Sequence, residues 1–232
     1  MAGVPTPPLR PRPLRPVVVL LLAALAVLAP QALATPDKWA AEIDQLTAND
    51  ATHPPPSGGV VFVGSSSIRL WKTLADDFPG VATINRGFGG SELADSVFYL
   101  DRIVLAYKPR TVVLFAGTND IWANKPPETV AADFKAFRTK LHAALPEARL
   151  IVLSLTLAPS RARVHEQMRT ANRLIAADCA TDPRCTFVDI NTPMLAPGGV
   201  APRAELFVED RLHLNRDGYA IWTKVLAPYL KP

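Results

Sequence analysis

The sequence predicts an α/β domain built on a parallel sheet. Short apolar runs alternate along the chain with longer segments whose apolar residues recur at helical spacing, as in α/β domains. The short runs are apolar throughout, which is typical of strands that are covered on both faces. After an N-terminal leader, about 200 residues remain, a length that suits one domain with a sizeable core.

The leader comprises residues 1–34. Three arginines precede 13 apolar residues at 17–29, and Ala32-Leu33-Ala34 follows them. A basic start, a short apolar stretch and small residues at a cleavage position indicate a signal peptide, and thus a periplasmic or secreted protein. An uncleaved anchor is the alternative, although the stretch is shorter than the roughly 20 residues that cross a bilayer. After cleavage we expect no stable membrane span.

The remaining elements belong to one domain, 35–232, without an internal repeat. Trp39, Ile43 and Leu46 mark a first helix. We predict five strands, at 59–63, 81–84, 111–115, 150–155 and 186–190. Helical spacing recurs between them within 93–104, 130–141 and 164–174, and a last helix is expected at about 216–226.

The charge of the chain argues against one class of partner. The chain has 25 basic and 21 acidic residues, but three of the basic ones lie in the leader, which leaves 35–232 with a net charge of +1. No basic stripe is present, so we expect no nucleic acid partner. The sequence predicts no particular oligomeric state.

Cys179 and Cys185 are the only cysteines. In an exported protein, a pair so close in sequence favours a small disulfide loop. Two reduced, half-buried thiols are the alternative. Two cysteines without a nearby histidine make a poor zinc site.

A polar or glycine-rich loop follows each of the first three predicted strands. Ser66 comes after the first, Gly90 after the second and Asn119 after the third. Ligand sites in open parallel sheets form outside the carboxyl ends of the strands, so the three loops are expected to converge. A serine hydroxyl at such a place becomes a nucleophile when a base lies within hydrogen-bond reach. The alternative is that Ser65 or Ser66 only caps a helix.

His213 is the candidate base. Asp210 precedes it by three residues, so a tight turn can bring the carboxylate to the ring. The carboxylate would fix the imidazole tautomer and stabilise the imidazolium. Of the other histidines, His53 lies in a proline-rich loop, His142 in an alanine-rich helix and His165 at a polar helix start. The alternative for Asp210 and His213 is a surface turn that opens the last helix.

An oxyanion would need hydrogen-bond donors aimed at it. The candidates are the backbone N–H groups of Ser66 and Gly90 and the side-chain amide of Asn119. As alternatives, the glycines only form a tight turn and Asn119-Asp120 only ends a strand. The loop lacks the third glycine of a dinucleotide site, because Glu92 occupies that position. Ile68 likewise breaks the Gly-x-Ser-x-Gly pattern of the α/β-hydrolases.

Four blocks of the chain, in order and at similar spacing, resemble those of the SGNH (GDSL-type) hydrolases: Gly64-Ser65-Ser66, 87–90, 117–120 and 210–213. The resemblance implies a flavodoxin-like, three-layer α/β/α fold on a five-stranded parallel sheet. Members of the family are esterases, lipases, thioesterases and carbohydrate deacetylases, and they need no metal ion and no organic cofactor.

The resemblance also implies a role for each site residue. Ser66 corresponds to the nucleophile, His213 and Asp210 to the rest of the triad, and Gly90 and Asn119 to oxyanion donors beside the Ser66 N–H.

Two positions depart from the family pattern. Ser65 stands where the family's name motif has Asp, and Ser91 stands where an acid commonly follows the glycine pair. Neither belongs to the triad, so the reaction class is unaffected, but the substrate preference does not transfer. Ser65 and Ser67 flank the nucleophile, and only the block alignment selects Ser66.

Residues beside the expected site bear on the substrate. Phe88, Ile121 and Trp122 could line a small apolar acyl pocket, and ordinary core packing is their alternative. No long apolar lid segment is present, so we expect a small-molecule ester with a short acyl chain, such as an acetate. An acetylated sugar and a lysophospholipid both fit an exported enzyme. A thioesterase or acyltransferase with the same residues, and a binding protein without catalysis, are the competing interpretations.

Overall fold

The computed structural model describes residues 36–230, together with Met1 and Gly3. The chain divides into two compact units, Met1–Pro30 and Gln31–Pro232, and every described helix and strand belongs to the second. Apart from Met1 and Gly3, the predicted signal peptide, 1–34, lies outside the described residues. Within 36–230, no helix combines the length and the apolar character that crossing a membrane requires.

The second unit is built on one parallel sheet of five strands. The strands are β1 (Val60–Gly64), β2 (Thr83–Gly87), β3 (Thr111–Phe115), β4 (Arg149–Leu153) and β5 (Cys185–Val188). Their order is β2-β1-β3-β4-β5, and every neighbouring pair is parallel. The chain leaves β1 toward β2 and then crosses back to β3 on the other side of β1. The loops after β1 and β3 therefore diverge at a topological switch point, where open α/β sheets form their ligand crevice.

Helices connect the strands and extend the chain at both ends. The α-helices are α1 (Pro36–Thr47), α2 (Ser66–Arg69), α3 (Leu74–Asp77), α4 (Leu93–Phe98), α5 (Leu100–Ile103), α6 (Thr118–Trp122), α7 (Pro127–Ala144), α8 (His165–Cys179) and α9 (Arg216–Leu230). Short 3₁₀ helices occupy Leu105–Tyr107, Pro159–Val164, Thr192–Met194 and Ala204–Leu206.

Successive residues of a strand point to opposite faces of the sheet, so both faces carry apolar side chains. Helices cover both of these faces. On one face, Val61 of β1 packs in a core with Phe134 of α7. On the other, Phe62 packs with Trp71 and with Trp222 of α9. All five side chains are buried. This arrangement, helices on both sides of a five-stranded parallel sheet, confirms the predicted three-layer α/β/α fold.

Several element boundaries differ from the predicted ones. β2 begins two residues later than predicted and continues through Arg86 to Gly87. The strand accommodates this arginine because Asp50 pairs with its guanidinium at 2.7 Å. The helical pattern in 93–104 forms two short helices, α4 and α5, instead of one. α9 continues past Pro228 to Leu230. β3 has the predicted bounds, and β1, β4 and β5 begin and end within two residues of theirs.

A disulfide joins Cys179, at the end of α8, to Cys185, at the start of β5. It closes the tight connection between these two elements. Neither cysteine is a free thiol.

Candidate active site

Three side chains from distant parts of the sequence form a hydrogen-bonded row. The Oγ of Ser66 lies 2.8 Å from Nε2 of His213, and Nδ1 of the same ring lies 2.5 Å from Oδ2 of Asp210. Ser66 and His213 are half-buried, whereas Asp210 is exposed. The row has the geometry of a nucleophile, a base and a carboxylate that orients the base.

The turn after β1 presents Ser66 at the sheet edge. Gly64 has φ +140°, and a Cβ there would lie 1.9 Å from the carbonyl oxygen of Phe115, so only glycine fits. The N–H of Ser65 donates to that same carbonyl, at 3.1 Å, which ties the turn to β3. Ser65 itself is buried, and the ring of His213 contacts Ser66. Ser65 is therefore turned into the core, whereas the hydroxyl of Ser66 meets the His213 ring.

The last helix positions His213. Asn215 caps α9, since its Oδ1 accepts the backbone N–H groups of Asp217 and Gly218 at 3.0 and 3.1 Å. One turn later, the hydroxyl of Tyr219 donates to the carbonyl oxygen of Ser67 at 2.7 Å. The helix that follows His213 thus binds the turn that holds Ser66.

The side chain of Asn119 lies beside the glycine loop that follows β2. Its Nδ2 donates to the carbonyl oxygen of Ser91 at 2.9 Å, so it contacts the residue next to Gly90. Gly90 has φ +70°, a left-handed conformation that favours glycine. The hydroxyl of Ser91 is buried and bonds within the loop, to the carbonyl oxygen of Phe88. Gly90 and Asn119 are thus adjacent, and one N–H of the Asn119 amide is left for another acceptor.

Asp120 anchors the segment that bears Asn119. Its carboxylate accepts the N–H of Leu93 at 3.0 Å and lies 3.1 Å from Nζ of Lys125. Burial raises the pKa of Asp120 to about 6, against the opposing effect of the Lys125 charge. This contact joins α6 to the start of α4 and so links the loops after β2 and β3.

Two of the three residues expected beside an acyl pocket lie in the core. Phe88 and Ile121 are buried, which is the core-packing alternative that the sequence left open for them. Trp122 is half-buried, and the guanidinium carbons of Arg161 and Arg163 lie 4.3 and 3.8 Å from its ring centroid. Of the three, Trp122 alone presents a side chain toward the surface.

A cavity of about 390 Å³ lies elsewhere, against α8 and the loops after β4 and β5. Leu157, Asn172 and Asn191 are among its lining residues, and Ser66, Asp210 and His213 are not. This cavity is therefore separate from the hydrogen-bonded row. Within the described part of the chain, no three His, Cys, Asp or Glu side chains are grouped to hold a metal ion.

Sequence reasoning missed two residues that contact the site. Arg161 reaches the amide of Asn119, and Glu42 of α1 accepts the N–H of Gly89 at 3.0 Å. The only sequence signal for Arg161 is its position in a loop after a predicted strand, at the same edge as the other site loops. Glu42 has no signal of this kind, because it lies on a helix that precedes the sheet.

Comparison with known families extends these observations. The model of the GDSL-like lipase/acylhydrolase family matches residues 57–221, a range that contains every residue of the hydrogen-bonded row. No curated protein matches the chain.

Solved structures share the fold. A proposed platelet activating factor from Streptococcus pneumonia is 18% identical with a TM-score of 0.74, and the alignment covers 84% of this chain and 94% of that one. A GDSL-like lipase from Bacteroides thetaiotaomicron is 22% identical, with a TM-score of 0.69 and coverages of 82% and 97%. A variant of an acetyl-xylooligosaccharide esterase from Geobacillus Stearmophilus is 15% identical, with a TM-score of 0.59 and coverages of 77% and 96%.

Proposed function

Since this chain belongs to the GDSL-like lipase/acylhydrolase family and is a carboxylic ester hydrolase, we propose that Ser66, His213 and Asp210 are its catalytic triad. The observation that carries the proposal is the 2.8 Å contact between Oγ of Ser66 and Nε2 of His213, on a ring whose other nitrogen faces Asp210. A hydroxyl that can pass its proton to a neighbouring imidazole is an activated nucleophile.

In the first half-reaction, Ser66 Oγ attacks the carbonyl carbon of the ester while Nε2 of His213 takes the hydroxyl proton. Asp210 stabilises the imidazolium that forms. The carbonyl oxygen becomes an oxyanion, to which the N–H groups of Ser66 and Gly90 and the amide of Asn119 donate. The tetrahedral intermediate then breaks its bond to the alcohol oxygen, His213 returns the proton to that oxygen, and an acyl-serine remains.

In the second half-reaction, water replaces the alcohol. His213 takes a proton from water as its oxygen attacks the acyl carbon, and the same donors stabilise the second oxyanion. The bond to Ser66 Oγ breaks, the proton passes back to this oxygen, and the carboxylic acid leaves. All groups are restored, and the residues named supply every proton transfer.

We further propose that the acyl group is short, of the acetyl type. Phe88 and Ile121 are buried in the core, so their side chains are not available to hold a long acyl chain. The separate cavity does not include a triad residue. A protein of similar fold bears the name acetyl-xylooligosaccharide esterase, which supports an acetylated sugar as one substrate to try.

Export of the enzyme is part of the proposal. It is supported by the basic and apolar sequence of residues 1–34 and by the disulfide between Cys179 and Cys185, because disulfides persist in oxidising compartments. Mass analysis of the protein recovered from the periplasm or medium should give a mass without the leader. Recovery of the full-length chain from the membrane fraction would instead support the uncleaved anchor.

The triad is tested by hydrolysis of p-nitrophenyl acetate with the parent enzyme and Ser66→Ala. We expect kcat to fall by roughly 10⁶-fold, because deletion of the nucleophile of such a triad costs about this much. Ser67→Ala is the matched control, since it removes the neighbouring hydroxyl and keeps the carbonyl that binds Tyr219. Equal activity in the parent and Ser66→Ala, both folded, would show that the nucleophile is another residue.

The acyl preference is tested by a series of p-nitrophenyl esters of increasing chain length. We expect kcat/KM to be highest for acetate and to decline with length. A strong preference for long chains would contradict the short-acyl proposal and leave the triad unaffected. Thioester and lysophospholipid substrates in the same assay test the competing acyl donors.

A further inference from the structure

The amide of Asn119 has a different partner on each side. Its Nδ2 donates to the carbonyl oxygen of Ser91 at 2.9 Å, and its Oδ1 accepts from Nη2 of Arg161 at 3.4 Å. A carbonyl oxygen can only accept and a guanidinium can only donate. If the amide were flipped, two oxygens would face each other at Ser91 and two donors at Arg161. The two partners therefore select one orientation, in which the NH₂ group faces the glycine loop.

Arg161 is unusual among the arginines of this domain. It is only 9% exposed, and among the described side chains it forms no ion pair with an acid. The buried Nη1 of Arg161 has no hydrogen-bond partner among the described residues. Burial, and then the charge of Arg163, lower the pKa of Arg161, but a guanidinium remains protonated at neutral pH. A positive charge without a neutralising carboxylate thus lies against the amide of Asn119.

The surrounding chain holds Arg161 in this place. Its guanidinium carbon lies 4.3 Å from the ring centroid of Trp122, within the range of a cation–π contact. The neighbouring Ser160 donates its N–H and its hydroxyl to the carbonyl oxygen of Arg211, both at 3.0 Å. Arg211 lies between Asp210 and His213. The 3₁₀ helix Pro159–Val164 therefore contacts both the Asn119 amide and the loop that carries the base.

We propose that Arg161 is a positioning residue for the esterase reaction: it fixes the amide orientation of Asn119 and places an uncompensated positive charge beside the oxyanion donors. The inference rests on the proposed function, because it takes Asn119 as an oxyanion donor. A fixed donor costs no reorganisation when the oxyanion forms, which is the reason that preorganised donors lower the barrier. A nearby cation strengthens the same donor by polarising the amide oxygen. The contribution belongs to the transition state, so it should affect kcat and leave KM nearly unchanged.

The test compares Arg161→Gln and Arg161→Lys with the parent in p-nitrophenyl acetate hydrolysis. We expect Arg161→Gln to lower kcat by about tenfold, less than the roughly 100- to 1,000-fold loss that follows removal of an oxyanion donor. Arg161→Lys, which keeps the charge, should recover part of the loss. Arg163→Gln is the matched control: Arg163 lies on the same Trp122 ring and is exposed, and its guanidinium bonds Asn124 and the Trp122 carbonyl.

A double-mutant cycle with Asn119→Ala separates positioning from a structural role. If Arg161 acts through Asn119, adding Arg161→Gln to Asn119→Ala should produce little further loss of kcat. Thermal unfolding of each variant checks the fold. An unchanged kcat in Arg161→Gln, the same loss with and without Asn119, or a rise in KM alone would each overturn the inference. Activity that survives Ser66→Ala would instead refute the proposed function, so the two failures are distinguishable.

Discussion

At the scale of single residues, Asp210 combines two tasks. Its Oδ1 accepts the backbone N–H groups of Leu212 and His213, at 2.8 and 2.9 Å, while its Oδ2 faces the His213 ring. Burial raises the pKa of Asp210, but the hydrogen bonds from His213 and Leu212 outweigh it and hold the pKa below the usual aspartate value. Asp210 is therefore ionised more readily than an ordinary aspartate, which suits its proposed role of orienting the His213 ring.

We expect Asp210→Asn to lower kcat by about 10,000-fold. The amide oxygen can still accept the two backbone N–H groups, so the turn should survive, but a neutral amide cannot stabilise the imidazolium. The measurement is kcat on p-nitrophenyl acetate beside the thermal unfolding midpoint. Glu209→Gln, a change of the exposed acid next to it, is the control.

A loss below about tenfold in folded Asp210→Asn would mean that His213 works without this carboxylate.

In the parent, kcat/KM should fall toward acid pH, because a protonated His213 cannot accept the Ser66 proton. A kcat/KM that does not fall on the acid side, with the protein still folded, would contradict the role of His213 as base.

At the scale of elements, α1 holds the loop that bears Gly90 from both ends. Glu42 accepts the N–H of Gly89 at 3.0 Å, and Nε1 of Trp39 donates to Oδ2 of Asp95, in the first turn of α4, at 2.9 Å. The helix lies before the sheet in sequence, yet it contacts residues on each side of Gly90. The helix therefore fixes the loop on both sides of Gly90, a proposed oxyanion donor.

Glu42→Ala should lower kcat by about tenfold, because the Gly89 N–H loses its acceptor and the loop gains freedom next to a proposed oxyanion donor. Glu42→Gln keeps an oxygen acceptor and should retain most of the activity. Both variants are compared with the parent by kcat and KM, with circular dichroism as a check of folding. Similar losses of kcat in the two variants would show that the effect comes from the charge of Glu42. Its carboxylate also lies 3.5 Å from Nη1 of Arg69, an ion pair that both variants remove.

The elements differ in how well the sequence predicts them. Trp39, Ile43 and Leu46 mark α1 by their spacing alone, and β3 is bounded by polar Arg110 and by the Ala116-Gly117 turn, so its limits are clear. The contact of Glu42 with Gly89 joins positions 47 residues apart, and local periodicity contains no such information. Helices as short as α2, α3 and α6 lack the length over which a period can be read.

At the scale of the whole molecule, an ion pair ties the last helix to the first connection of the sheet. Nη1 of Arg216 lies 2.6 Å from Oδ1 of Asp77, whose Oδ2 also accepts from Trp71 and Thr73 at 2.7 Å. Burial raises the pKa of Asp77, but the bonds from Trp71, Arg216 and Thr73 outweigh it and leave the pKa below its ordinary value. Folding therefore favours the charged form of Asp77.

We expect Asp77→Asn to lower the free energy of unfolding at neutral pH by about 1 kcal/mol. A carboxyl group whose pKa is depressed on folding adds stability above its unfolded pKa and loses it as pH falls through the folded pKa. The difference between parent and variant should therefore shrink below about pH 4, the region of the unfolded aspartate pKa. Denaturant unfolding of both proteins at several pH values measures this difference in the free energy of unfolding. A difference that grows toward acid pH would contradict the stabilising role of the Asp77 carboxylate.

The strand order and the assembled site were less accessible from the sequence than the strands themselves. An apolar run indicates a strand but not its neighbours in the sheet. The position of β1 between β2 and β3 was therefore predictable only through the family resemblance. The Asp-x-x-His spacing marked His213 as the candidate base for Ser66, and the resemblance supported this assignment. Arg161 was missed because an arginine in a Pro-Ser-Arg-Ala-Arg stretch resembles a solvated loop residue, whereas the structure buries it.

The contact between Ser66 and His213 also has a consequence for when the enzyme becomes active. The two residues are 147 positions apart, one after the first strand and the other before the last helix. During synthesis, the proposed nucleophile Ser66 therefore emerges long before the proposed base His213, and a partly made chain cannot hydrolyse esters by the proposed route. In refolding experiments, the return of Ser66-dependent activity should report the docking of α9. The rate at which ester hydrolysis returns would then measure how fast the last part of the fold forms.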